Sequence, residues 1–133
     1  MKEIKDLVVP DNLSYTDAHE WMDKEAVPSR MGITDYAQDQ LGDVVFVELP
    51  EPGTRLEKGE VCATVESVKA VSEIYMPVSG TVSAVNTELE DRPELVNSSP
   101  YGDGWILEIT ADDPAALLSL MDHGAYLDML KGL

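Results

Sequence analysis

Lys69 is the residue whose setting could support chemistry. It lies in the stretch Val65-Glu66-Ser67-Val68-Lys69-Ala70-Val71-Ser72-Glu73. Before it, Val61, Ala63 and Val65 alternate with Cys62, Thr64 and Glu66; after it, Ile74, Met76 and Val78 form a second period-two run. Alternation of this kind marks half-buried strands, so the lysine belongs to the connection between two adjacent strands. There its amine stands away from the core on a flexible four-carbon stem, within reach of a modifying enzyme. The same placement suits an ordinary solvated charge, and spacing alone leaves both readings open. Glu66 and Glu73 flank the lysine. To act as an acid/base pair they would need opposed environments and a pocket that separates their pKa values, which a hairpin tip does not provide. They fit equally as recognition groups for the hairpin and as plain outward-facing strand carboxylates.

Other reactive types are poorly placed. Cys62 shares a strand face with Thr64 and Glu66 in this pattern and has no basic neighbour in sequence, so packing is favoured over redox chemistry. His19 and His123 lie far apart, and no Cys/His group has metal-ligand spacing. Gly102-Asp103-Gly104 opens no helix and carries an acid that repels phosphate, so it reads as a turn. Asn97-Ser98-Ser99 fits a glycosylation sequon, which has no meaning in a cytoplasmic protein. Trp21 and Trp105 read as core or cleft packing.

The elements that must position Lys69 are mostly strands. Residues 1–12 form a loose lead-in. Short strands are expected over 13–15 and 20–22, around a turn at Asp17. Val27-Pro28 points to a sheet edge, because proline cannot donate to a ladder. Thr34 or Asp35 caps a short helix with its body over 36–41 and Gly42 as its stop. Val44-Val45-Phe46-Val47 reads as a buried strand. Ser79-Gly80 is a turn, 81–85 a strand, 87–104 turn-rich, and 105–109 a further strand. In the tail, Asp113 caps a helix with Pro114 at its first position; Leu117, Leu118 and Met121 recur at helical spacing and pack on the body. Gly124 ends that helix, and 125–131 form another. Gly59 and Gly80 give a faint symmetry about Lys69.

The 133 residues suit one domain and can bury roughly two thirds of the unfolded surface. A formal charge of −17 repels phosphate backbones and anionic membranes, so neither nucleic acid nor a membrane is an expected partner. Basic protein surfaces are the natural complement. No apolar run nears the roughly 20 residues of a membrane span, and the N-terminus resembles neither a secretory signal nor an Arg- and Ser-rich transit peptide. The expected location is the cytoplasm, with a matured mitochondrial form as an alternative.

Several motifs recur together in a known family. They are His19-Glu20-Trp21, Gly32-Ile33-Thr34-Asp35-Tyr36-Ala37-Gln38-Asp39-Gln40-Leu41-Gly42-Asp43 and Val45-Phe46-Val47-Glu48-Leu49-Pro50, then Glu66-Ser67-Val68-Lys69-Ala70 and Pro77-Val78-Ser79-Gly80. Leu89-Glu90-Asp91, Pro93-Glu94-Leu95-Val96-Asn97 and Pro100-Tyr101-Gly102-Asp103-Gly104-Trp105 complete the series. In this order and spacing, over about 13–109, the chain resembles the H proteins of the glycine cleavage system. Val27-Pro28-Ser29-Arg30 departs from the smoother segment usual there. Biotin domains usually place methionine on both sides of the lysine, and acyltransferase lipoyl domains an aspartate before it; here the flanks are Val68 and Ala70.

The resemblance implies a mainly β fold, a flattened β-barrel or sandwich of the lipoyl-biotinyl carrier type with short helices and a C-terminal helical tail. It implies a single carrier domain over 1–133, with the barrel body at 13–110 and C-terminal helices at 112–133. It implies lipoic acid in amide linkage to Lys69, which makes the charge one unit more negative, and a non-catalytic role. The implied partners are a pyridoxal-phosphate glycine decarboxylase, which loads an aminomethyl group on the arm, and a tetrahydrofolate-dependent aminomethyltransferase, which unloads it. A dihydrolipoamide dehydrogenase, which reoxidises the dithiol, and a lipoate-attaching enzyme complete the set. A monomer is expected. In the family the loaded arm folds back into a cleft, and Glu20 is the expected carboxylate for its ammonium. An alternative is an H-like relay that donates lipoyl groups to other enzymes.

Overall fold

The computed structural model describes residues 2–133. Its strands are β1 (Ser14–Tyr15), β2 (Glu20–Asp23), β3 (Ser29–Ile33), β4 (Val44–Glu48), β5 (Arg55–Leu56), β6 (Val61–Ser67), β7 (Val71–Tyr75), β8 (Gly80–Val85) and β9 (Leu107–Ala111). They form two antiparallel sheets, one ordered β1-β2-β3-β9-β8-β5 and the other β4-β6-β7. The ladder is not closed into a barrel. Met22, Met31, Val82, Leu107 and Ile109 from the first sheet join Val47, Val65 and Ile74 from the second in one buried cluster. The result is the flattened, mainly β sandwich expected from the sequence.

Two bulges alter the strand faces. One lies between Val44 and Phe46 on β4. The four-residue apolar run is therefore only half buried: Val44 and Val47 face the core, while Val45 and Phe46 are exposed. The other lies between Val61 and Ala63 on β6. An extra residue shifts the side-chain alternation, so Cys62 and Ala63 are both buried and Val61 is exposed. Cys62 consequently does not share the outward face of Thr64 and Glu66.

Pro28 sits in the turn just before β3, and the Val27–Pro28 peptide is cis. Because Pro28 is outside the ladder, β3 is free to be an interior strand between β2 and β9, not an edge. The region 87–104 holds two single-turn helices, α2 (Glu88–Asp91) and α3 (Leu95–Ser98). Their buried Leu89, Leu95 and Val96 were hidden among turn-forming residues.

The helix α1 (Asp35–Leu41) has Thr34 as N-cap, its Oγ1 accepting from Ala37 N, and Gly42 at its C-terminal end with φ +82°. In the tail, Asp113 accepts from Ala115 N and starts a 3-10 helix at Pro114–Ser119. The last helix, α4 (His123–Lys131), is capped by Asp122 and contains Gly124 near its start, so this glycine stops nothing. Leu117 packs on the main core and Met121 on a second cluster, but Leu118 is 76% exposed.

Met1 lies outside the described residues, and from Lys2 onward the lead-in is pinned, not loose. Lys2 Nζ lies 3.0 Å from Asp35 Oδ1, Val8 N donates to Asp35 Oδ2 at 2.9 Å, and Tyr101 OH donates to Val8 O at 2.6 Å. Burial alone would raise the Asp35 carboxyl, but the bonds from Val8, Lys2 and Gln38 bring it below its ordinary value.

Candidate functional site: a lysine hairpin and its cleft

Antiparallel pairing of β6 with β7, Thr64 opposite Glu73 and Glu66 opposite Val71, carries Lys69 at the hairpin tip. The tip is rigid for a local reason. Ser67 N donates to Ala70 O at 2.8 Å. The Ser67 hydroxyl accepts from Ala70 N at 3.0 Å and Lys69 N at 3.2 Å, as serine does in turns. Val68 N donates to Asp43 O at 3.0 Å, fixing the tip to the segment after α1. Val68, Lys69, Ala70 and Val71 are exposed.

The lysine stem lies on Gly42. A Cβ there would stand 3.3 Å from Lys69 Cε and 3.7 Å from Cδ, and the positive φ itself favours glycine. Beneath it, Asn97 Nδ2 donates to Gly42 O at 2.9 Å and to Gln38 Oε1 at 3.0 Å, while Val44 N donates to Asn97 Oδ1 at 2.8 Å. The sequence gives no local sign of this support, which joins residues more than 50 positions apart.

Beside the tip is an open cleft of about 300 Å³. Ala70, Val71 and Ser72 form one wall; Tyr36, Ala37, Gln40 and Leu41 of α1 form the floor; Ala18 and His19 close the other side. His19 adopts φ +66°. Its Nδ1 lies 2.8 Å from Tyr126 OH, and its ring stacks obliquely on Tyr36 with centroids 4.5 Å apart. Burial lowers its pKa, partly opposed by Asp17.

Glu20 follows His19 but is not among the cleft's lining residues. Its side chain is buried, the residue being 2% exposed. Oε1 accepts from Thr16 Oγ1 at 2.8 Å, and Oε2 from Tyr75 N at 2.8 Å. The carboxyl therefore ties the β1–β2 turn to the return strand of the lysine hairpin. Burial pushes its pKa up to about 7, against the pull of those two hydrogen bonds. Glu66 is half-buried and Glu73 exposed, two rungs apart on the outward face of the β6–β7 ladder. The structure thus brings Glu20 to β7, where it bonds the main chain two residues along the strand from Glu73.

The remaining candidates are structural. Cys62 Sγ donates to Ile74 O at 3.3 Å, and burial, with the nearby charge of Glu20, pushes its thiol up to about 12. Trp21 Nε1 donates to Pro100 O at 2.9 Å, and Arg30 lies 4.6 Å over the Trp105 ring. Among the described residues, no group of three or more His, Cys, Asp or Glu side chains could hold a metal ion.

The family model described as "Glycine cleavage H-protein" matches residues 13–132. The chain belongs to the glycine cleavage H-protein family. It is 54% identical over 124 residues to the "Glycine cleavage system H protein" of Klebsiella pneumoniae, covering 92% of this chain and 96% of that one. It is 53% identical over 120 residues to the protein of the same name from Salinibacter ruber, covering 90% and 97%. The crystal structure of a glycine cleavage system H protein from Mycobacterium marinum superposes with a TM-score of 0.82 at 39% identity, covering 94% of this chain and 100% of that one. Family membership therefore rests on nearly full-length similarity in sequence and in fold, and the lysine hairpin lies well inside the matched residues.

Proposed function

We infer that this H-family chain is the lipoyl-bearing carrier of glycine cleavage, with lipoic acid attached through an amide to Lys69. The observation that carries this reading is an exposed lysine on a rigid hairpin tip beside an open cleft. The fit to the group is chemical. Lipoic acid is an aliphatic acid ending in a dithiolane ring, and the neighbouring cleft presents Ala18, Ala37, Leu41, Ala70 and Val71 beside a few polar side chains. When bound, the group supplies a disulfide that accepts the aminomethyl unit of glycine and is later reoxidised.

This chain's own residues do the placing. Ser67 and Asp43 hold the tip, Gly42 gives the stem room, and the cleft provides shelter. Glu20 is the carboxylate proposed to favour an ammonium at the arm's end, acting at low dielectric from behind the wall that His19 forms. Glu66 and Glu73 are proposed as recognition groups on the hairpin. Tethering raises the local concentration of the reactive end at each docked enzyme, and the hard chemistry belongs to cofactors and partners. The chain is accordingly a carrier and not itself a catalyst.

The proposed partners are the pyridoxal-phosphate glycine decarboxylase, the tetrahydrofolate-dependent aminomethyltransferase, dihydrolipoamide dehydrogenase and a lipoate-attaching enzyme. The proposed state is a monomer working as one carrier domain over 1–133, in the cytoplasm. No described helix is long and apolar enough to cross a membrane. The relay alternative gains no support from the relatives, which carry the glycine cleavage name.

The test is intact mass after incubation with lipoate, ATP and a lipoate ligase, beside Lys69→Arg. One lipoyl addition in the parent and none in the variant is expected. Addition that persists in the variant, or none in a folded parent, overturns the reading.

A further inference from the structure

His19 is held more firmly than a loop residue needs to be. Its backbone sits in the left-handed region, which non-glycine residues seldom adopt and which is a pointer to function when the surroundings enforce it. The surroundings do enforce it. His19 N donates to Thr16 O at 3.2 Å, and His19 O accepts from Thr34 N at 3.0 Å. The ring is clasped by Tyr36 on one side and by the edge of Tyr126 on another, with centroids 5.8 Å apart. Tyr126 is in turn fixed by stacking on Tyr15 at 4.7 Å and by a 2.7 Å bond to Thr34 Oγ1. Of the cleft's lining side chains, the His19 imidazole is the one that carries a ring nitrogen able to accept a hydrogen bond from an amine. Nδ1 is taken by Tyr126, so Nε2 is the ring nitrogen left for the cleft. Both contacts permit Nδ1–H to donate to the Tyr126 oxygen and the Tyr126 hydroxyl to donate to Thr34 Oγ1, and in that arrangement Nε2 keeps its lone pair.

We propose that His19 is a binding residue of the cleft, receiving through Nε2 the amine at the end of the lysine-borne arm, and that Tyr126 of α4 is the positioning residue that aims it. The proposal deepens the lipoyl-carrier reading and rests on it. It gives the C-terminal helix a part in the site, through one hydroxyl that spans 107 positions of sequence.

The experiment uses the full chain in three states: unmodified, lipoylated, and amine-loaded with isotopic glycine and glycine decarboxylase. The imidazole nitrogens of His19 are followed by NMR, and the lifetime of the loaded arm by mass. His19→Asn keeps a residue that tolerates positive φ while removing the imidazole. Tyr126→Phe keeps the stack on Tyr15 and removes only the hydroxyl. The expected result is a shift of the His19 Nε2 resonance on loading, at least halved in Tyr126→Phe, and a several-fold shorter lifetime in His19→Asn at a temperature where circular dichroism shows the variant folded. A His19 resonance that ignores loading, or an unchanged lifetime in His19→Asn, overturns the proposal while leaving the carrier reading in place. Failure of lipoate to add to a folded parent overturns both.

Discussion

The hairpin tip and the wall across the cleft are held by different kinds of contact. At the tip, Ser67 bonds to Lys69 and Ala70, two and three residues away, and only the Val68–Asp43 bond is distant in sequence. Across the cleft, His19 depends on Tyr36, Thr34 and Tyr126, and Glu20 on Tyr75, 55 positions away. The tip is a presenting device, exposed and folded mainly by its own residues, with Gly42 leaving room for the lysine stem. The wall is a product of the whole fold, and it contains the titrating groups. Accessibility to a modifying enzyme and control of what lies in the cleft are thus separately encoded, and changes in one should leave the other largely intact.

The largest expected effect separates the two cleanly. Lys69→Arg should abolish lipoyl addition, read by mass, while urea unfolding stays within about 0.5 kcal/mol of the parent, as for other exposed substitutions. At the wall, Glu20→Ala should cost roughly 1–3 kcal/mol in urea unfolding, because the Tyr75 amide loses its buried acceptor; the tip should still take lipoate. Glu20→Gln can keep an acceptor on Tyr75 N without the buried charge, so it should be much milder.

The pH dependence sharpens this point. The Glu20 carboxyl ionises at about 7 in the folded chain, against an ordinary value of 4.5. Its contribution to stability is fully present below about 4.5 and is lost as pH rises through about 7, because the unfolded chain ionises first. Stability measured between those limits should therefore fall by roughly 1–3 kcal/mol more in the parent than in Glu20→Gln. Equal slopes would show that burial of this carboxyl carries no such penalty.

Smaller effects belong to the tip and its face. Ser67→Ala should cost about 1 kcal/mol and slow lipoylation, with no change in the His19 resonances. Glu66→Gln and Glu73→Gln should alter stability least, within about 0.5 kcal/mol. Their effect should appear in association rates with a partner enzyme at low salt, and rates that do not change would remove these carboxylates from recognition.

This contrast also explains what could be read from the sequence. Alternation and turn chemistry are local, so β6, β7, the Thr34-capped helix and the exposed lysine were legible. The bulges at Val44/Phe46 and Val61/Ala63 were not, because an inserted residue preserves composition while shifting which side chain faces the core. The Val27–Pro28 segment misled because its proline stands one residue outside β3. The short helices at 88–98 are masked by turn formers, and Gly124 resembles a helix stop although it lies inside the last helix, which Asp122 caps. At the site, Lys69 was visible from its neighbours. The roles of Gly42, Asn97, Tyr126 and the strained His19 depend on residues brought together only by folding.

The bond from Tyr75 N to Glu20 has a consequence outside the carrier cycle. β7 is an outer strand of its sheet, and an outer strand with free main-chain groups can recruit another chain edge to edge. Glu20 occupies one of those groups from within the molecule, next to the exposed side chains of Val61, Val71 and Tyr75. The same carboxyl that ties the two sheets together therefore leaves that edge one main-chain donor fewer to offer another chain.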